Sequence, residues 1–446
     1  MYTWILITGG LFSFFAAMGI GANDAANAFS TSVGSKALTL NQAVILAAIF
    51  ETSGAILMGS HVANTIRKGI ADYECFESQP EVLMYGCMWV LLSTGIWLFL
   101  ASRLEMPVST THSCVGGMIG MAIALGGSNC VIWYKAIDTF PYISGVSGIV
   151  LSWFLSPFFS ALIASLLFWI IREFILRHAF ETKRINFIYP LLIFSTVSIN
   201  TFFVIYKGAK GLGLDNTPLN IACAISIGAG GLCSCIAYPF IPLLKNYINS
   251  NTHHTHDSNI LFHEKTEVFD SRTERVFTSL QVFTAICDSF SHGANDVANA
   301  IGPFVTIYTI YLTNGISKEN NMNDNAYWIL AMGGFGIAVG LFLYGKKITY
   351  ALGEKFIKIT PSRGVSIELA TALVIITGTR LEIPLSTTHC QVGATFGVGV
   401  LEDYKKFSGI NLHIFYKTIL GWFLTCIVVG LTAGLLTSAG VYGPCF

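Results

Sequence analysis

GANDAANAF, residues 21–29, returns at residues 293–301 as GANDVANAI, identical at seven of nine positions. RLEMPVSTTHSCVGGMIG, residues 103–120, returns at 380–397 as RLEIPLSTTHCQVGATFG, identical at eleven of eighteen. The offsets are 272 and 277 residues, so the two motifs repeat together as parts of one unit. Outward from these motifs the chain is mostly apolar, in stretches at 1–20, 37–63, 82–102, 105–125, 141–171, 185–206, 218–244, 278–313, 326–345, 364–380, 383–401 and 411–440. The repeat pairs the first five stretches with the last five and leaves the sixth and seventh as a bridge. A shift of seven crossings reverses direction, which predicts inverted copies unless one stretch is a re-entrant hairpin.

The expected fold is therefore an all-α membrane protein. It has about 12 transmembrane segments in two inverted-topology repeats, with Pro-broken or re-entrant half-helices. The expected division is a first repeat at 1–171, bridging helices at 172–244, a loop at 245–277 and a second repeat at 278–446. Composition agrees. Charged residues are 11% of the 446, against roughly 25% in a soluble domain, and mean hydropathy is +0.63. A soluble globular enzyme is excluded. Net charge is zero and no basic run exceeds two residues, so nothing favours nucleic acid. Neither GxxxxGK[ST] nor HExxH is present, so neither an enzyme nor a cofactor is expected. The N-terminus is apolar from Tyr2 without a basic region, which reads as a retained first helix.

If every stretch crosses, one side carries 18 Lys and Arg and the other 7. The positive-inside rule then makes the long loop cytoplasmic and both termini extracellular, and the membrane expected is the plasma membrane. That loop holds His253, His254 and His256; a solvated loop is the reading, with a metal-binding tract as the alternative. The eleven cysteines form no CxxC pair. Cys75 and Cys130 fall in loops assigned to the outside, where oxidation is chemically allowed. Independent thiols are the expectation for them, with a disulfide between the two as the alternative.

Ionisable side chains inside a membrane are costly and call for a reason. Asn23, Asp24 and Asn27, and again Asn295, Asp296 and Asn299, offer carboxylate and amide oxygens between Gly and Ala. That donor set suits a hard monovalent cation. Pro107 precedes Ser109, Thr110 and Thr111, as Pro384 precedes Ser386, Thr387 and Thr388. Proline pre-sets a helix start, and a helix N-terminus lined with hydroxyls binds oxyanions. His112 and His389 read as neutral imidazoles donating to carbonyls. Arg103 with Glu105 and Arg380 with Glu382 read as interfacial ion pairs or gates. Glu51 and Glu368 are single carboxylates that need partners, and alignment through the repeat sets Gly333 opposite Glu51 and Leu91 opposite Glu368.

On GANDAANAF, GANDVANAI, PVSTTH and PLSTTH, the chain resembles the PiT family of inorganic phosphate transporters, solute carrier family 20. The resemblance implies symport of phosphate with sodium, or in some branches with protons, around a central site. It implies phosphate on Asn27, Ser109, Thr110, Thr111, Asn299, Ser386, Thr387 and Thr388. Sodium would sit on Asn23, Asp24, Asn27, Thr110, Asn295, Asp296, Asn299 and Thr387, as a co-transported substrate and not a cofactor. Glu51, Glu368, Arg103 and Arg380 are the coupling or gating candidates. Alternating-access import by sodium symport is the leading reading; a proton symporter and an uncoupled anion channel or exporter are the alternatives. Beyond phosphate, sodium and the lipid bilayer, a homodimer is left open.

Overall fold

A computed structural model describes residues 2–138, 142–178, 182–206, 214, 217–250, 266–316, 327–402, 407 and 409–443. In chain order the helices are α1 Thr3–Ile20, α2 Ala26–Gly34, α3 Leu40–Met58, α4 Ser60–Lys68, α5 Pro80–Arg103, α6 Thr110–Gly126, α7 Val146–Ile171 and α8 Thr182–Ile205. They continue as α9 Leu219–Ala237, α10 Ile241–Ser250, α11 Ser271–Thr313, α12 Tyr327–Tyr344, α13 Lys346–Lys355, α14 Pro361–Arg380, α15 Thr387–Val400 and α16 Leu412–Tyr442. Strands β1 Lys135–Ala136 and β2 Ile143–Ser144 form a small antiparallel hairpin. The protein is an all-α integral membrane protein. Seven helical runs among the described residues are both long and apolar enough to span a bilayer. Three of the other apolar stretches fall short of that for two reasons. α11 carries a polar stripe, and α6 and α15 are only 17 and 14 residues long.

Local chemistry explains where the helices begin. Thr39 and Gln42 form a reciprocal capping box on α3, and Asp270 accepts from Thr273 N at the start of α11. Proline opens α5 and α14, where its missing N–H costs nothing. Ser109 and Ser386 cap α6 and α15 through the N–H groups of His112 and His389, each at 3.2 Å.

α1, a π-helical turn at Gly21–Ala25 and α2 make one continuous helical run. α11 is its counterpart and runs the opposite way: the Thr3 and Tyr311 hydroxyls meet at 3.4 Å, and Ser13 Oγ donates to Ala300 O. α5 runs parallel to α1, with the Trp4 ring on Tyr85 and Asn23 on Ser102. α14 likewise runs parallel to α11, with Glu274 on Ser362 and Asn295 on Thr379. The pairs α5–α6 and α14–α15 are therefore helical hairpins that enter from opposite ends and meet tip to tip. Arg103 and Arg380, which the charge count placed at opposite surfaces, sit at these tips instead. At about 1.5 Å per residue, α6 and α15 are too short to cross a core of about 30 Å.

Glycines let the two long helices touch their neighbours. A Cβ on Gly21 would lie 1.8 Å from Ile337 O, and one on Gly293 would lie 2.1 Å from Glu51 O. These matched contacts correct the sequence alignment: Ile337, not Gly333, is the counterpart of Glu51. The misalignment has a simple cause, because the connection between the first two helices is longer in the second copy.

Each hairpin is fastened at its base. Cys75 and Cys130 are joined by a disulfide with Cα atoms 5.9 Å apart, which overturns the expectation of free thiols. The sequence hid this because 55 residues separate the pair, and the whole α5–α6 hairpin folds back between them. Alkylation of both residues is expected only after reduction; peptide mapping that finds either one modified in the native, unreduced protein would contradict the bond. At the other hairpin, Arg363 is buried between the rings of Phe168 and Phe269. It donates to Glu402 from Nε at 3.0 Å, so an ion pair joins the start of α14 to the end of α15. Glu402 Oε2 also accepts from Glu267 N, and Arg177 grips the Glu267 carboxylate through two nitrogens. The Arg177 guanidinium holds the Glu267 carboxyl below the usual range. Its contribution is complete above the ordinary Glu value and fades as pH falls through the lowered one.

Candidate ion and oxyanion site

Where the hairpin tips meet, the backbone leaves helical geometry for a few residues, and side chains must satisfy it. Asn23 does this for the first tip. Its Nδ2 donates to Ser102 Oγ and Met106 O, and its Oδ1 accepts from Val108 N at 2.9 Å. Asn295 stands in the same relation to the second tip, with its amide on Thr379 Oγ1 at 3.0 Å. With the amide turned over, it also donates to Leu385 O. These two asparagines, assigned from sequence to sodium, hold the hairpins in place in this structure.

The tips then cross-bond. Thr111 Oγ1 donates to Leu385 O at 2.7 Å, and Thr388 Oγ1 donates to Val108 O at 3.1 Å. Each bond is the other's image under the repeat. Asp24 accepts from Thr110 N at 3.2 Å and from Thr388 Oγ1. Asp296 Oδ2 accepts from Thr387 Oγ1 at 2.6 Å and from Thr110 Oγ1 at 3.3 Å. Each carboxylate is thus bound by both hairpins. Asn299 donates to Thr110 Oγ1 and Thr111 Oγ1, while its own Oδ1 is buried without a partner. The side chain of Asn27 lies outside the described residues. Asp24, Asp296, Ser109, Thr110, Thr111, Ser386, Thr387 and Thr388 are all buried. The sequence reading therefore named residues that the fold does bring together: two acids, two hydroxyl-lined helix starts and the buried amides of Asn23, Asn295 and Asn299.

Chemically, the arrangement has both signs. The starts of α6 and α15 present N–H groups and partial positive charge, which favour an anion. Asp24 and Asp296, with the hydroxyl and carbonyl oxygens beside them, favour a cation without demanding soft ligands.

Behind the tips, His389 Nδ1 lies 2.9 Å from Trp153 O, as the neutral-imidazole reading expects. His112 instead packs its ring on Trp153, 4.6 Å from the His389 ring, and its Nδ1 has no partner. Arg380 lies over the Tyr206 ring, at 4.9 Å. Arg103 lines a cavity with Phe15, Phe99, Tyr344 and Lys347. The tip placement removes both arginines from the interfaces where the sequence set them.

One part of the site was missed. His292 Nδ1 lies 2.7 Å from Glu51 Oε2, and its Nε2 lies 3.0 Å from Asp296 Oδ2, so it joins the two acids. Asp288, one turn earlier, is buried with one oxygen unpartnered. Glu368 accepts from Thr31 and Ser32 at 2.6 Å each and from Thr284 and Gln281. A signal was present: Gln281, Thr284, Asp288, His292, Asp296 and Asn299 recur every three or four residues, one face of α11. The repeat drew attention away from it, because Gln281, Thr284, Asp288 and His292 have no polar counterpart in the first copy. Among the described residues, Asp24, His292 and Asp296 bring ligand atoms within 4.8 Å of one another.

Three comparisons bear on this geometry. The model of the phosphate transporter family matches residues 20–433. A protein of Pyrococcus horikoshii named "Putative phosphate permease" is 36% identical over 97% of both chains. The mouse protein named sodium-dependent phosphate transporter 1 is 25% identical, over 98% of this chain and 95% of its own. A solved structure described as the sodium-dependent phosphate transporter superposes with a TM-score of 0.81 at 32% identity, covering 97% of this chain and 98% of that one.

Proposed function

The chain belongs to the phosphate transporter family, and we propose that within it this protein is a sodium-coupled symporter importing inorganic phosphate by alternating access. The observation that carries the proposal is the bonding of Asp24 and Asp296 to threonines from both hairpins. Phosphate would take the helix starts at Ser109–Thr111 and Ser386–Thr388. Sodium would take the two aspartates, where the threonine hydroxyls now donate. Each ligand then offsets the charge of the other, so neither binds well alone, and that mutual dependence is what coupling requires. Asn23 and Asn295 enter this reading as the residues that hold the tips at the right height.

The same proposal includes the division into repeats at 1–171 and 278–446, joined by 172–244 and the loop 245–277. Two hairpins in place of four crossings leave the parity of the chain unchanged, so both termini remain on the outer side, and the membrane proposed is the plasma membrane. With the tip arginines removed, the Lys and Arg split is 17 to 6.

Purified protein in proteoliposomes is expected to accumulate labelled phosphate when an inward sodium gradient is imposed, and sulfate should compete poorly. With more than one sodium per monovalent phosphate, inside-negative potential should speed uptake, at about 2.3 kcal/mol per net charge per 100 mV. His292, between Glu51 and Asp296, is the observation that favours proton coupling instead. Uptake driven by a pH gradient and indifferent to sodium replacement would decide for that second reading.

A further inference from the structure

A cavity of about 170 Å³ lies on the far side of the second hairpin tip, lined by Thr65, Ser144, Gly145, Leu381, Glu382 and Pro384 among others. Its walls come from α4, from β2 and the start of α7, and from the tip itself. These are the elements next to the Cys75–Cys130 disulfide: Ala71 bridges to Val131, and Ile132 N donates to Ile70 O. The cavity therefore opens on the face assigned to the outside. Pro384 lines it, and the next residue, Leu385, accepts the Thr111 hydroxyl inside the site. The wall between cavity and site is this short stretch of hairpin.

Glu382 is the charged residue of that lining. It follows the last turn of α14 in the left-handed conformation, φ 57°, a position that ordinarily takes Gly or Asn. Its carbonyl accepts from Thr65 Oγ1 at 2.7 Å, which fixes the backbone. Its side chain is 52% exposed, and His61 Nδ1 lies 4.0 Å from the carboxylate. At the tip of the first hairpin, Glu105 has the same conformation, φ 54°. There the Lys417 ammonium stands 3.5 Å from Leu104 O. Both tips carry an Arg and a Glu, and they differ in the neighbour that accompanies them, Lys417 at the first and His61 at the second.

We propose that the cavity is an outer antechamber in which Glu382 collects a hydrated monovalent cation before it passes the tip to Asp24 and Asp296. Naming that cation as sodium rests on the symport reading above. A space of this size holds several waters at about 30 Å³ each, so the ion keeps much of its hydration. A carboxylate at the mouth raises the local cation concentration by focusing the field in a low-dielectric cleft.

The test uses the full chain in proteoliposomes and two independent readouts. Ser144→Cys places a thiol in the lining, and Ile143→Cys is a second reporter should the first variant fold poorly. Each is reacted from outside with a cationic and an anionic membrane-impermeant methanethiosulfonate, and labelling at the introduced position is followed by peptide mapping. The cationic reagent is expected to react roughly three-fold faster or more, and Glu382→Gln should abolish that preference. Equal rates, a faster anionic reagent, no effect of Glu382→Gln, or no labelling at either position would overturn the proposal. In transport, Glu382→Gln should raise the external sodium concentration for half-maximal uptake roughly three- to ten-fold, with the rate at saturating sodium retained. Glu105→Gln should leave external sodium dependence unchanged; equal shifts in both variants would remove the antechamber. Labelling has no transport step, so proton coupling would leave its outcome intact. Sodium-driven uptake without a charge preference would sink the antechamber alone.

Discussion

Asp296→Asn is expected to cut sodium-driven phosphate uptake by about 100-fold or more while leaving a folded, monodisperse protein. The substitution hardly changes volume, and the threonine hydroxyls that donate to Asp296 Oδ2 can rotate to accept from an amide. What is lost is the charge. A hundred-fold loss corresponds to about 2.8 kcal/mol, which is within reach of one charge-assisted interaction in a buried site. Asp24→Asn should behave in the same way, because Thr110 N and Thr388 Oγ1 hold it as firmly. The measurement is initial uptake against external sodium for both variants at matched reconstitution. Wild-type sodium dependence in either variant would take that aspartate out of the coupling site.

The second large effect concerns structure. Gly293→Ala places a Cβ 2.1 Å from Glu51 O, and Gly21→Ala places one 1.8 Å from Ile337 O. The obstructing atoms are backbone, so no side-chain rotation relieves the clash and two packed helices must separate. Overpacking in a well-filled core typically costs about 1–3 kcal/mol and occasionally more; a clash with backbone belongs at the upper end. Both variants should lose most of their folded yield, read by size-exclusion chromatography in detergent and by thermal unfolding. Gly231→Ala is the internal control. Nothing lies within 4 Å of a Cβ there, and alanine is the better helix former by about 1 kcal/mol, so stability should hold or rise. A wild-type melting curve for Gly293→Ala would show that α3 and α11 do not cross as closely as described.

Much of this protein was legible from residue order. A bilayer forces apolar stretches into helices, because unpaired backbone groups cannot be left in hydrocarbon. Duplicated motifs fix which stretches correspond. Chemistry that is local in the chain was also readable: Ser109 and Ser386 cap the helices that follow them, and Asp24 and Asp296 stand out because charge in apolar surroundings needs a reason.

Tertiary structure decided what depends on pairs distant in sequence. The role of Asn23 is one such case, since Met106 and Val108 reach it only once α5 has folded back along α1. His292 is another: an ordinary polar residue in the chain, it becomes the link between Glu51 and Asp296 when α3 crosses α11. The pairing of Cys75 with Cys130 and the clasp of Arg363 on Glu402 follow the same logic, each closing a hairpin whose ends are far apart along the chain. Hydropathy could not tell a crossing from a hairpin, because both are apolar helices, and the difference lies in which neighbour each runs beside. The sequence by itself determined the membrane-embedded helices, their duplication and the acids and hydroxyls at their centre. Only packing decided that four of those helices turn back inside the protein, because the bonds that hold the turns come from residues elsewhere in the chain.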